Sequence, residues 1–263
     1  MPQNFLNDRL HPKLAESLYP NHGIFNLSND EKRDLTLSKA EAKLVKPFYT
    51  TLELQRYYGL PNNALWVIYT DSSFKGKNSM DELPKLKKHL DQFKSVITSD
   101  NKPYGLHRSR DEKFFIGEKI ISARMCSEPT FTYTEFDCYV SQTFNVIKTE
   151  RINQKYLTAL FNSKVMHFWL RHKGKTKGKM FQVDKEPLLD MPLHQPSAAV
   201  QTKVATLVDS ILRGLAKRTD AVTEAQKETI DRHTEAADQQ IQSIIYGLYG
   251  IDDAEIEHLE ANL

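Results

Sequence analysis

Cysteine is almost missing from this chain: Cys126 and Cys138 are the only two in 263 residues. With no CxxC pair and no histidine pair at metal-ligand spacing, neither a disulfide scaffold nor a zinc site is suggested, and two free core thiols are expected. Glycine is scarce as well, 10 in all, and neither GxxxxGKS/T nor GxGxxG occurs. The one lookalike, "GKTKGK" at 174–179, lacks the preceding strand that a phosphate loop needs. GxSxG and HExxH are absent too, and the nine histidines are scattered. No cofactor is expected to bind this chain and no metal site is expected in it. No run approaches the roughly 20 apolar residues that span a bilayer, and "MPQNFLNDRLHPKL" has no basic flank leading into an apolar stretch. The expected setting is cytoplasmic, of bacterial type, without a membrane.

What is present describes a folded protein. Hydrophobic residues make up 40% and charged residues 27%, with thirteen Phe and eleven Tyr, far from the composition of a disordered chain. The length fits a main core with one appendage. A net charge of +2 conceals an asymmetry: 146–186 holds ten Lys or Arg against three acids, whereas 220–263 holds two against eleven. The middle is built to meet a polyanion and the tail is not.

The first thirty residues read as an irregular entry segment. Ser38 and Glu41 have the spacing of a capping box and predict a short helix at about 38–46, ended by Pro47. "NNALWVIYTD" predicts a central strand. Leu83, Leu86, Leu90, Phe93 and Ile97 recur at helical spacing, predicting a helix that covers a sheet. "FFIGEKIISARMC", "TFTYTEF" and "CYVSQTFNVIK" predict further strands. "NQKYLTALFNSKVMHFWLRHKG" returns to the helical period, with Tyr156, Leu157, Leu160, Phe161, Val165, Phe168 and Trp169 on one stripe. A basic loop leaves this helix through Gly174. Beyond 196, two long apolar periodicities predict an antiparallel helical hairpin over 197–249. Gly250 stops it, and Asp252 with Glu255 caps a short final helix. The fold class is therefore α+β, a mixed sheet with covering helices followed by a helical hairpin.

Two basic loops carry the candidate chemistry. "KPYGLHRSRDEK" gathers Lys102, Tyr104, His107, Arg108 and Arg110, and Arg124 follows on a later strand. The rigid donor fork of arginine suits guanine edges, and flexible lysine suits phosphates. Arg108, Arg110, His107, Tyr104 and Arg124 are thus the candidates for base readout. Arg171, Lys173, Lys175, Lys177 and Lys179, five cations in nine positions, join Lys102 as phosphate candidates. A competing reading, a small Mg²⁺-dependent endonuclease, would use Asp111, Glu112, Glu118 and Lys119. Another is a protein-interaction subunit that docks a partner through the helical hairpin.

Several segments in order, "LVKPFYTTLELQRYY", "LWVIYTD", "EKIISARM", "YLTALFNSKVMHFWLRHKGKTKG", "FQVDKEPLLDMPL" and "IIYGLYGIDDAEIEHLE", resemble the TaqI-like C-terminal specificity domain. That family follows the catalytic domain of N6-adenine DNA methyltransferases, including fused type IIG restriction-modification enzymes. The resemblance implies a target recognition domain that reads a short double-stranded DNA sequence. The family's catalytic tetrapeptide, Asn/Asp-Pro-Pro-Tyr/Phe, does not occur here. Catalysis is therefore expected in a partner subunit or an upstream domain, which would also bind S-adenosylmethionine. The division expected is 1–195 for DNA recognition and 196–263 as spacer and partner-docking hairpin.

Overall fold

The computed structural model describes residues 23–263. Most of the expected irregular entry segment therefore lies outside the described residues. The described chain forms two compact units, and it crosses between them repeatedly. Unit 1 takes 62–113 and 137–139 together with the described residues up to Tyr49, and unit 2 takes 50–61, 114–136 and 140–263.

Unit 1 is a sheet with a helix on it. Its strands are β1 (Asn26–Ser28), β2 (Val45–Tyr49), β4 (Leu65–Ile68) and β8 (Tyr139–Val140), in the order β1-β4-β2-β8. β4 pairs antiparallel with both β1 and β2, so the expected central strand is central. Helix α1 (Asn29–Asp34) and the one-turn helix α2 (Lys39–Ala42) precede β2, and α3 (Pro84–Asp91) packs Leu86 and Leu90 onto Leu27, Val45 and Ile68. The capping box at Ser38 and Glu41 forms as read. Its helix is shorter than expected, because Pro47 lies inside β2, opposite Trp66, and not at a helix end. Glu41 is fully buried, and its other oxygen accepts the backbone N–H groups of Lys85 (2.7 Å) and Leu86 (3.2 Å). It thus caps α3, whose own N-cap position, Leu83, has no side chain to do so.

Unit 2 is larger and is closed by the helical hairpin. Its main sheet, β3-β7-β5-β9, comprises β3 (Tyr57–Tyr58), β5 (Lys119–Ala123), β7 (Phe131–Thr134) and β9 (Phe144–Ile147). β3 runs parallel to β7 and the other pairs are antiparallel, so the sheet is mixed as expected. The single helix read from Gln154 to Lys173 is two: α4 (Gln154–Phe161) and α5 (Lys164–Lys173). The break serves the sheet. Asn162 accepts from the Phe131 N–H (2.9 Å) and donates to its carbonyl (2.7 Å), and Ser163 caps α5 through the Met166 N–H.

After α6 (Lys185–Leu189), the long helices α7 (Ala198–Asp220) and α8 (Glu224–Tyr249) form the expected hairpin, and α9 (Asp253–Ala261) follows behind the Asp252 and Glu255 box. Gly250 ends α8 with φ +64°, the left-handed C-cap that glycine adopts without strain. Val204, Val208 and Ile211 of α7 and Ala237, Ile241 and Ile245 of α8 share one core with Tyr156, Leu157 and Leu160 of α4. The hairpin thus spends its apolar stripe inside unit 2.

Candidate nucleic-acid interface

In unit 1 the arginine loop is pinned at both ends. Its entry is fixed to the end of β4, where Thr70 Oγ1 donates to the Tyr104 carbonyl (2.6 Å) and the Leu106 N–H donates to Thr70 O (2.9 Å). Its exit is fixed by Tyr69, whose hydroxyl accepts from the Arg110 N–H (2.9 Å) and donates to the Arg110 carbonyl (2.5 Å). Between these clamps Arg108 is exposed and takes φ +50°, a conformation that costs about 1 to 2 kcal/mol for a side chain of its type.

The other candidates of this loop have different surroundings. Tyr104 is a core residue, 1% exposed, with its hydroxyl on Asp91 Oδ1 (2.8 Å); it supports the loop and does not face solvent. Arg110 is half-buried, and burial draws its pKa below the ordinary arginine value. Lys102 and His107 are exposed, and His107 Nδ1 lies 3.5 Å from Asp100 Oδ2.

In unit 2 the expected basic loop is a β-hairpin. β10 (Thr176–Lys177) and β11 (Met180–Gln182) pair antiparallel, and β11 pairs in turn with β6 (Met125–Cys126). The turn is Gly178-Lys179, with Gly178 at φ +63°, as required at the first central position of a two-residue hairpin turn. Phe181, 1% exposed, anchors the ribbon in the core. Lys175, Lys177 and Lys179 are all exposed. Lys173 Nζ sits 5.3 Å above the Trp169 ring, and Arg171 Nη1 donates to the Leu263 carbonyl (2.6 Å). Arg124 is exposed but held by Asp184 (2.5 Å), which leaves it less free for a base edge than its sequence position implied.

The acidic set singled out for metal chemistry is engaged in structural roles. Lys119 is fully buried and donates to the carbonyls of Gly117 (2.7 Å) and Phe136 (2.6 Å). Glu112 accepts from Tyr139 (2.8 Å) and pairs with Lys46, and Asp111 pairs with Lys113. Glu118 accepts from Tyr133 (2.8 Å). No group of three or more His, Cys, Asp and Glu side chains able to hold a metal occurs among the described residues. Both cysteines are buried and unbridged, and burial pushes the Cys126 thiol up to about 11. No described helix is long and apolar enough to cross a membrane.

Sequence reasoning missed one feature beside the hairpin. A cleft of about 630 Å³ in unit 2 is lined by Lys179 and Arg171 together with Arg56, Lys164, His167 and Asp238. Lys164 and His167 lie on α5 with Arg171, whereas Arg56 and Asp238 come from distant segments that no local pattern joins to it.

The fold and the two basic segments define an α+β module with solvent-facing cations on constrained backbone. Comparison with known proteins narrows that class. Residues 72–193 match the family model of the TaqI-like C-terminal specificity domain, and the resemblance read from the sequence is shown over that stretch. The chain is 26% identical over 97 residues to the type II methyltransferase M.HincII of Haemophilus influenzae, covering 35% of this chain and 19% of that protein. It has the same identity over the same length to the type II methyltransferase M.HindII of a Haemophilus influenzae strain, covering 18% of that protein. The chain thus spans about a fifth of the length of these relatives. In fold it resembles the type IIL restriction-modification enzyme MmeI, solved in complex with DNA, with a TM-score of 0.65 and 14% identity over 91% of this chain and 33% of that one.

Proposed function

We propose that this chain is a sequence-specific double-stranded DNA recognition domain or subunit of an N6-adenine DNA methyltransferase or restriction-modification enzyme, without catalysis of its own. The observation that carries this reading is the hairpin whose Lys175, Lys177 and Lys179 are all exposed, anchored by Phe181, and lying within the stretch that matches a specificity-domain family. Lysines on such a ribbon suit phosphate contacts, and Arg108, exposed between two clamps, suits a base edge. An adenine amino group can be attacked only after extrusion from the duplex. That step and the binding of S-adenosylmethionine are assigned to a partner subunit or a fused catalytic domain, as in type IIG enzymes of the bacterial cytoplasm.

The test is the binding of duplex DNA to the full chain at several salt concentrations. Lys175→Ala with Lys177→Ala is expected to weaken binding to every sequence and to lower the slope of log K against log salt by roughly 2. An unchanged slope removes the hairpin from the interface. The rival reading, a protein-docking subunit, has less to work with, because the inward faces of α7 and α8 are consumed by their own core. Tight binding to a methyltransferase subunit with no binding to duplex DNA at low salt would replace DNA reading with docking.

A further inference from the structure

The lysine hairpin has two faces, and core packing accounts for only one of them. Strand alternation and the register put Phe181 and its partner Cys126 on the inner face, both buried. The same register sets Lys177 opposite Met180 and Gln182 opposite Met125. Lys175 lies across from Gln182, whose N–H donates to the Lys175 carbonyl (2.9 Å). These five side chains therefore share the outer face. Gly174 lets α5 end close to the ribbon: a Cβ there would lie 2.6 Å from the Gln182 carbonyl oxygen and 2.7 Å from that of Leu170.

In the order β10-β11-β6, β10 is an edge strand and β11 the middle one. The outer face thus carries an edge row of cations, Lys175 and Lys177, beside an uncharged middle row, Met180 and Gln182. Met180 is 41% exposed. No hydrogen bond to the Gln182 side-chain amide and no ion pair of either lysine occurs among the described residues.

That layout is complementary to the major groove of B-DNA, which is about 12 Å wide, admits a β-ribbon and exposes the base edges. Alternate residues of a strand stand about 6.8 Å apart, close to two base-pair steps of about 3.4 Å. A glutamine amide fits adenine, accepting from N6 and donating to N7, and an apolar side chain fits the thymine methyl. Lysines in an edge row reach sideways to the phosphates that border the groove. We infer that the middle row of this ribbon reads bases, Gln182 an adenine and Met180 a thymine methyl about two base pairs away, while the edge lysines hold the backbone. The inference rests on the DNA reading proposed above and deepens it, since the ribbon then supplies specificity as well as affinity.

The experiment is selection of duplexes from a randomised pool by the full chain, with sequencing of what it retains. The parent chain is expected to enrich an adenine and a thymine about two base pairs apart. Gln182→Glu is expected to change the adenine position to cytosine and to weaken binding to the parent motif about tenfold, because a carboxylate accepts from cytosine N4 and cannot donate to adenine N7. Met180→Ala is expected to lower the thymine preference about fourfold. Deoxyuridine in place of that thymine costs the parent chain the same factor and the Met180→Ala chain nothing. Both side chains lie on the outer face, so each variant is expected to melt with the parent. Retention of duplex with no enriched motif, or a motif that both variants leave unchanged, overturns the inference while leaving DNA binding intact. Retention of no duplex by the parent chain at low salt overturns the DNA reading itself, and this inference with it.

Discussion

The arginine segment of unit 1 and the lysine segment of unit 2 look alike in sequence, each a short basic stretch beside aromatics, yet they are constructed by opposite means. Segment 106–110 is irregular backbone clamped from beneath by Thr70 and Tyr69, with one exposed arginine in a left-handed conformation. Segment 175–182 is regular, a two-stranded ribbon in register with β6, whose lysines are exposed. A clamped single arginine has few ways to point, which favours discrimination. A row of flexible lysines on a ribbon tolerates many phosphate positions, which favours affinity.

The comparison can be broken at three points. Phe181→Ala is expected to cost about 3 to 5 kcal/mol of stability, because a fully buried aromatic leaves a cavity and unseats the ribbon. A denaturant midpoint close to that of the parent chain would show that the ribbon is not core-anchored. Arg108→Ala is expected to lose about 1 to 3 kcal/mol of discrimination at one base position while leaving the salt slope nearly intact. Equal weakening on all duplexes would put Arg108 in the same class as the lysines. Gly178→Ala is expected to cost about 1 kcal/mol, through strain at its positive φ. An unaltered melting temperature would mean that the turn relaxes to another type.

Local chemistry was legible in the sequence and tertiary chemistry was not. The boxes at Ser38 with Glu41 and at Asp252 with Glu255 formed as read, because every partner lies within one helical turn. The helical hairpin followed from periodicity alone. The break at Asn162 was invisible because its cause is Phe131, 31 residues away. Pro47 reads as a helix stop but occupies a strand, because Pro47 and its partner Trp66 are paired only once the sheet forms. The ribbon at 176–182 was missed because lysines, threonine and glycine give no apolar alternation, and only Phe181 faces inward. For the candidate site, charge located both basic segments. Only burial showed that Tyr104 is a support and that Arg110 is half-covered. The cleft lay beyond sequence reading, since Arg56 and Asp238 are 182 positions apart.

That separation bears on how the chain becomes a protein. The main apolar cluster of unit 1, from Leu27 to Tyr104, precedes β8, the last strand of its sheet, which is complete at Val140. Arg56 and Tyr57 must wait for Asp238 of α8, a closure over more than 180 residues. Such long-range closures carry an entropic cost and place their contacts late in folding. On a ribosome, where N-terminal parts emerge first, unit 1 can therefore settle once β8 has emerged, while unit 2 remains unfinished until Asp238 has been added.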